Sequence, residues 1–285
     1  MTAAARVTVV TVTHDSADAI GGFLDSLPGA LALVVVDNAS GDGTADRVAA
    51  AAPRATIIRN AVNRGFGAGC NAGMDRAGTE FVLLLNPDAR LAPGAIDALV
   101  AAADAWPDAA ILAPAILGAD GRRVRSTDAA QKRRRRLPRR RDGEPWPEGP
   151  ACVEFASGAA MLLRPADALR FDESLFLFYE DDAICAAALA RGRAVIHVPG
   201  AVVTHAGGRS SAPSLRIRWR KAFHMALSRQ IYRARHDSTD AGARLLHHAG
   251  KAAGHGLTLR GTRVVEDLAG LAGTLAWLSR PRTGP

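Results

Sequence analysis

Lysine, cysteine, aromatic residues and asparagine are all scarce in this 285-residue chain. Only Lys132, Lys221 and Lys251 occur, so arginine carries almost all the positive charge and its abundance alone says little about function. Cys70, Cys152 and Cys185 have no metal-ligand spacing, and three cysteines give no disulfide framework, which points to a reducing compartment. No apolar run approaches the ~20 residues of a membrane span; Leu268–Leu278 comes nearest and is too short. Met1–Arg6 leads into a strand-like segment without the apolar core of a signal peptide. The expected location is therefore cytoplasmic, with any membrane contact peripheral, at the inner face of the plasma membrane.

What charge there is lies unevenly. The formal net charge is +8, yet eight basic residues and no acid fall between Lys132 and Arg141. Without that run, basic and acidic residues balance, so the remaining surface is not that of a nucleic-acid-binding protein. The run itself reads as a solvated segment or as contact with anionic lipid. A hydrophobic fraction of 48% supports a sizeable core.

The first hundred residues alternate between two periodicities. Strand patterns at Val7–Thr13, Leu31–Asp37, Thr56–Arg59 and Glu80–Leu85 alternate with helical patterns. The helices run through Ile20–Leu27, Asp42–Ala52, the segment after the glycine loop, and from Pro93 to Trp106. This order predicts an α/β fold, doubly wound and mostly parallel, with helices on both faces and ligands at the carboxyl ends of the strands. A strand pattern at Ile111–Leu117 is followed by an expected mobile loop over 119–150. Order resumes at Val153–Arg164, with a helix at Asp181–Arg191 and two short strands at Ala194–Val198 and Ala201–Thr204. The domain boundary is expected near residue 210, followed by a helical extension over 211–285. There Leu215, Trp219, Phe223, Leu227 and Ile231 recur every four residues beside arginines, a stripe suited to a membrane surface or to packing.

Candidate chemistry concentrates at strand ends. All five asparagines, Asn38, Asn60, Asn63, Asn71 and Asn86, lie within one stretch, consistent with turn chemistry or with a polar ligand site on one rim. Asp37 ends the second strand, where a carboxylate can accept from a base N–H or a ribose hydroxyl; helix capping falls to Asp42 or Ser40, since Asp37 lies too far upstream. The loop Asn63-Arg64-Gly65-Phe66-Gly67-Ala68-Gly69-Cys70-Asn71-Ala72-Gly73 permits close approach of a diphosphate but does not fit GxGxxG, because Cys70 stands where the third glycine would be. Asn86-Pro87-Asp88 ends an apolar strand with an amide and a carboxylate, suited to a divalent cation shared with phosphate or to an Asx-type turn. Glu180-Asp181-Asp182 follows the densest aromatic patch, Phe176–Tyr179, and opens a helix. Its acids stabilise that helix start, or one of them accepts a proton from an attacking hydroxyl. His205 is a structural histidine or completes a metal site with Asp88.

Taken together, Val36-Asp37-Asn38-Ala39-Ser40-Gly41-Asp42-Gly43-Thr44, Asn63-Arg64-Gly65-Phe66-Gly67, Leu84-Leu85-Asn86-Pro87-Asp88, Ser157-Gly158-Ala159, Phe171-Asp172-Glu173, Tyr179-Glu180-Asp181 and His205 occur in an order that resembles family 2 glycosyltransferases. The similarity covers roughly residues 6–210 and is nearest to the rhamnosyltransferase-like branch. It implies a GT-A fold and an inverting transfer from a nucleotide-diphosphate sugar. The implied acceptor is a glycan or polyprenyl-linked hydroxyl in cell-envelope synthesis, and the implied cofactor is Mg2+ or Mn2+. The donor it favours is deoxythymidine-diphosphate-rhamnose, with uridine-diphosphate sugars next. By resemblance, Thr13, Asp37, Asn38, Arg64, Gly65, Asn71, Asn86 and Asp88 surround the nucleotide sugar. Asp88 and His205 hold the metal, and Asp181 is the general base with Glu180 as its competitor. His14-Asp15 stands where the family often has Tyr-Asn, and Ala183 replaces a common acid. The rival reading is a binding module for anionic lipid or nucleic acid acting through Lys132–Arg141; no nucleic-acid partner is expected. An anionic membrane surface is a further expected partner, through Lys132–Arg141 and residues 214–235.

Overall fold

The computed structural model describes residues 1–128, 146–205, 214–236, 240–258 and 261–280. The Lys132–Arg141 run lies outside the described residues. Two compact units are present: Met1–Phe171 with Asp181–Ala212, and Asp172–Glu180 with Pro213–Pro285.

In the first unit, β1 (Val7–Thr13), β2 (Ala32–Asp37), β3 (Thr56–Arg59) and β4 (Phe81–Leu85) alternate with α1 (Ala17–Asp25), α2 (Thr44–Ala51) and α3 (Phe66–Met74). Then come β5 (Ala89–Leu91), α4 (Ala95–Ala105), β6 (Ala109–Leu117), β7 (Arg123–Val124), β8 (Thr127–Asp128), β9 (Ala151–Val153), β10 (Phe155–Ala156) and β11 (Ala160–Leu163). Helix α5 (Glu180–Ala190) and β12 (Ala194–His205) complete it. The main sheet has the order β3-β2-β1-β4-β11-β6-β12-β5, with β7 on β6 and β9 on β12. Strands β1 to β4 are parallel, as the alternating pattern predicts. Beyond β4 the sheet is mixed: β11 runs antiparallel to both β4 and β6, while β12 is parallel to β6.

Both faces are covered because β1 is apolar on both sides. Val7 and Val9 join a core with Ile20 and Phe23 of α1, Val48 of α2 and Leu99 of α4. Val10 and Val12 join another with Cys70 of α3 and Ile184 and Cys185 of α5. Helix α3 packs against its strands only because Gly73 lacks a side chain: a Cβ there would lie 2.3 Å from Val10 Cγ1.

Three details differ from expectation. Gly94 takes the N-cap of α4 with φ +76, so Pro93 precedes the helix and does not occupy its first turn. The two short strands after α5 are one, β12, whose register on β6 shifts between Val198 and Val202. Pro199-Gly200 falls in that shift, where a residue without an N–H is tolerated. The expected loop over 119–150 contains β7, paired with β6, and β8, paired with β10.

The second unit contains α6 (Leu215–His236), α7 (Ala241–Leu257) and α8 (Gly261–Leu278) together with Asp172–Glu180. The regular stripe of α6 divides along its length: Leu215 and Trp219 are exposed, whereas Leu227 and Ile231 are buried. Phe178 and Tyr179 have φ of +70° and +67°, a region L residues seldom adopt. Ring contact of Tyr179 with Tyr232 (centroids 5.4 Å apart) and a bond from Ser228 Oγ to the Leu177 carbonyl (2.9 Å) hold that turn.

Gly73→Ala should destabilise the first unit by about 1–3 kcal/mol, the usual cost of overpacking. Urea unfolding should show a lower midpoint with an unchanged slope, and an unchanged midpoint would contradict the close packing of α3.

Candidate active site

Because β1 to β4 run in one direction, Thr13, Asp37, Arg59 and Leu85 end on one rim. Thr13 and Asp37 are register partners, and Thr13 Oγ1 donates to Asp37 Oδ1 at 2.9 Å. The Ser40 hydroxyl donates to the same oxygen at 2.5 Å, and the Ser40 amide to Oδ2 at 3.1 Å. These bonds close a tight turn through Ala39, whose φ is +61°. A carboxylate offers about four lone-pair sites, so the turn leaves Asp37 capacity for a ligand N–H or O–H. Asp37 does not cap a helix. Asp42 does so, accepting from the amides of Thr44 (3.0 Å) and Ala17 (2.8 Å) at the starts of α2 and α1. Burial raises the pKa of Asp42, but the Thr44 hydroxyl and these amides outweigh it, and the net shift is downward.

Buried Asn38 ties the rim together. Its Nδ2 donates to the Gly65 carbonyl (2.8 Å), its Oδ1 accepts from Asn60 Nδ2 (2.7 Å), and its amide donates to the Thr13 carbonyl (2.8 Å). The glycine loop is thereby anchored to the ends of β1, β2 and β3. Gly65 is buried at the start of α3, and Arg64 beside it is exposed. Asn71 faces inward. Its Nδ2 donates to the Phe171 carbonyl (3.0 Å) and its Oδ1 accepts from the Phe171 amide (2.9 Å), a two-way bridge between residues 100 apart.

The pair Asp88 and His205 is made by strand register. Strand β5 lies antiparallel to β12 with Ala89 opposite His205, which brings Asp88 Oδ1 to 3.1 Å from His205 Nε2. Asn86 Nδ2 approaches the same nitrogen at 3.4 Å. One ring nitrogen cannot donate to Asp88 and accept from Asn86 together. Asn86 Oδ1 is in addition buried without a hydrogen-bond partner. A carboxylate, an imidazole and, once the neighbouring Asn86 amide is turned over, its orphaned oxygen are donors suited to a divalent cation that takes its other ligands from phosphate and water. Among the described residues no group of three or more His, Cys, Asp and Glu forms a self-sufficient metal site.

Asp181 lies in the first turn of α5 and is half-buried. Its Oδ1 accepts from the Asp182 amide at 2.9 Å, and the Gly158 amide stands 3.5 Å from Oδ2. Gly158 precedes Ala159, whose carbonyl accepts the Asn86 amide at 3.0 Å. The Ser157–Ala159 turn thus touches both the Asn86-Pro87-Asp88 segment and Asp181, which places these acids on the same rim. Glu180 is buried and falls with the other unit, Asp172–Glu180.

Residues 8–167 match the Glycosyl transferase family 2 domain. The chain belongs to that family. This glycosyltransferase is 28% identical over 229 residues to the N-acetylglucosaminyl-diphospho-decaprenol L-rhamnosyltransferase of Mycobacterium tuberculosis, covering 69% of this chain and 75% of the relative. Its fold is GT-A. It is similar to the mannosyltransferase PcManGT from Pyrobaculum calidifontis, solved with GDP-Man and Mn2+ (TM-score 0.57, 17% identity, 96% of this chain and 87% of that one). It is also similar to S. aureus TarS 1–349 with UDP-GlcNAc (TM-score 0.54, 19% identity), covering 78% of this chain and 66% of that one, just under two thirds of its length.

Sequence reasoning offers Ser40 only as a helix cap, and Gly158 only as part of Ser157-Gly158-Ala159. Ser40 was legible as the residue three beyond Asp37 in an Asx-like turn; the Gly158 contact needs a loop and a helix start brought together from 23 residues apart.

Replacing Asn71 by Leu leaves the buried Phe171 amide and carbonyl without partners, at about 1–3 kcal/mol for each orphaned group. Chemical denaturation without any ligand should therefore show a loss of about 2–6 kcal/mol; a variant as stable as the parent would mean that Asn71 acts on ligand alone.

Proposed function

We propose that this chain transfers rhamnose from a nucleotide-diphosphate donor to a hydroxyl of a polyprenyl-diphosphate-linked glycan in cell-envelope polysaccharide synthesis, with inversion at the anomeric carbon. The observation that carries this reading is one rim bearing three kinds of group: Thr13, Asp37 and Asn38, then Asp88 with His205, then Asp181. The mycobacterial relative's name, which specifies an L-rhamnosyl transfer and an N-acetylglucosaminyl-diphospho-decaprenol acceptor, supports the choice of sugar and acceptor.

Each group has a task. Asp37 accepts from the base or ribose, with Thr13 and Ser40 holding its carboxylate in place. Asn38 fixes the glycine loop with Arg64 and Gly65 beside the donor, and Asn71 braces α3 behind it. Asp88, His205 and the Asn86 amide would hold Mg2+ or Mn2+, which when bound offsets negative charge on the diphosphate. Mn2+ in the PcManGT complex supports divalent-metal use. Asp181 orients the acceptor hydroxyl and takes its proton as the oxygen attacks the anomeric carbon. The bond from that carbon to the diphosphate oxygen breaks on the opposite side, and the nucleoside diphosphate leaves with the bonding electrons. Positioning and charge stabilisation account for most of what such a site supplies.

Asp181→Asn should reduce turnover by ~10²–10⁴-fold, the range of general-base assistance, with donor affinity unchanged by calorimetry. Asp88→Ala should instead weaken donor binding in the presence of Mn2+ and flatten its metal dependence. Weakened donor binding with intact single-turnover chemistry in Asp181→Asn would remove Asp181 from the role of base.

A lipid-linked acceptor has to be met at a membrane surface. Among the described residues no helix is long and apolar enough to cross a membrane. We propose peripheral contact with anionic lipid at the inner face of the plasma membrane, through residues 214–235, where exposed Leu215 and Trp219 alternate with exposed Arg216 and Arg218. Co-sedimentation with phosphatidylglycerol vesicles should fall on Trp219→Glu and on raising salt; binding indifferent to both would overturn the contact.

A further inference from the structure

The segment that leads to the proposed base holds a backbone that its own side chains disfavour. Phe178 and Tyr179, at φ +70° and +67°, are the only adjacent non-glycine residues with positive φ among the described residues. For an L residue that region crowds Cβ against the backbone, and glycine or asparagine usually occupies it. Glu180 and Asp181 follow at once as the first residues of α5. The division between the two compact units falls on the peptide bond between them, so the strained pair belongs to the helical unit. The conformation of Phe178 and Tyr179 therefore sets how the chain enters the helix that carries Asp181.

Strain of this kind persists only where the surroundings over-determine it. Here one face of α6 does so. His224, Ser228 and Tyr232 recur at intervals of four and Arg235 follows three positions later, which places all four along one side of the helix. The first three meet the segment in order. The His224 ring stacks on Phe176, with centroids 4.3 Å and planes 23° apart. Ser228 Oγ donates to the Leu177 carbonyl at 2.9 Å, and the Tyr232 ring lies 5.4 Å from that of Tyr179. Arg235 pairs with Asp172 at the far end of the segment. There Asp172 Oδ1 also accepts from the Ser174 amide and hydroxyl, at 3.0 and 2.7 Å.

Helix α6 is in turn held by the other two helices. A Cβ at Gly273 of α8 would lie 2.2 Å from the Phe223 carbonyl oxygen, so α6 and α8 touch backbone to backbone. Asp240, at the start of α7, takes Arg229 at 2.6 Å, Arg233 at 3.0 Å and Gln230 Nε2 at 2.8 Å. Moving the face that holds the turn would disturb these contacts as well.

We propose that α6 is a positioning element for the transfer reaction. Through His224, Ser228 and Tyr232 it keeps the 176–179 turn in its strained form, and that turn sets where the Asp181 carboxylate stands. These three are positioning residues and act without touching substrate. The inference rests on reading Asp181 as the base, and it gives the helical unit a task in the chemistry besides contact with lipid.

Two readouts on the full chain test it. Hydrogen exchange without ligand reads the turn. Ser228→Ala should speed exchange of the amides at 177–184 by about tenfold, the equivalent of one good hydrogen bond, with those of β1 to β4 unchanged. Single-turnover transfer from deoxythymidine-diphosphate-rhamnose to N-acetylglucosaminyl-diphospho-decaprenol should slow by a similar factor, with donor affinity by calorimetry unchanged. Position 178 gives a second test that leaves the α6 contacts in place. Phe178→Gly relieves the left-handed backbone, whereas Phe178→Val keeps an apolar side chain but adds a β-branch at positive φ. The glycine variant should exchange more slowly at 177–184 and transfer faster than the valine variant. A role in packing alone predicts the reverse order, since glycine removes more of the side chain. Unchanged exchange in Ser228→Ala, loss of donor affinity alongside turnover, or valine equal to or better than glycine would each overturn the proposal. Full turnover in Asp181→Asn would remove the base assignment instead, and the two failures are told apart because the exchange readout needs no donor.

Discussion

Four parallel strands that stop at one rim create a local problem: the backbone and the loops beyond them have no further strand to pair with. Asparagine meets that need throughout the rim. Asn38 joins the ends of β1, β2 and β3 to the glycine loop, Asn60 completes the link, and Asn71 substitutes for a strand pairing by bonding both backbone groups of Phe171. The confinement of all five asparagines to residues 38–86 is thus largely a property of how this sheet is closed. The rim that carries Asp37 and Gly65 is a consequence of that closure: Asn38 holds the Gly65 carbonyl, and the Thr13 and Ser40 hydroxyls hold the Asp37 carboxylate.

The second constraint is the antiparallel insertion. Strand β11 between β4 and β6 brings the Ser157–Ala159 turn against Asn86, and the β5–β12 register brings Asp88 against His205. A wholly parallel sheet would place each strand end beside another strand end of the same sense. The mixed half instead delivers a loop, a helix start and a strand terminus to the same edge as Thr13, Asp37 and Asn38. The proposed division of labour between a metal-side carboxylate and a separate proton acceptor depends on that mixing.

Much of this was legible beforehand. Val7–Thr13 and Thr56–Arg59 are strands with the limits their β-branched runs predict, and the helix expected at Asp181 begins one residue earlier. Asp37 and Asp88 could be marked as strand-end acids. Less was legible where a residue's partner is distant. The family resemblance marks Asn71 as a donor-side residue; that its amide also bridges both backbone groups of Phe171, 100 residues away, has no local signal. The break expected at Pro199-Gly200 became a register shift, because pairing on both sides holds β12 together through one residue lacking an N–H.

By itself, the order of residues determined the family, the alternation of strands and helices, and which acids close the strands, since periodicity and short turns are local properties. Tertiary structure alone decided which sides of those acids meet, that Asp88 pairs with a histidine 117 positions later, and that Phe178 and Tyr179 are held in a left-handed turn. Those outcomes depend on register and on helix approach, which are summed over the whole chain and leave no short-range mark in the sequence.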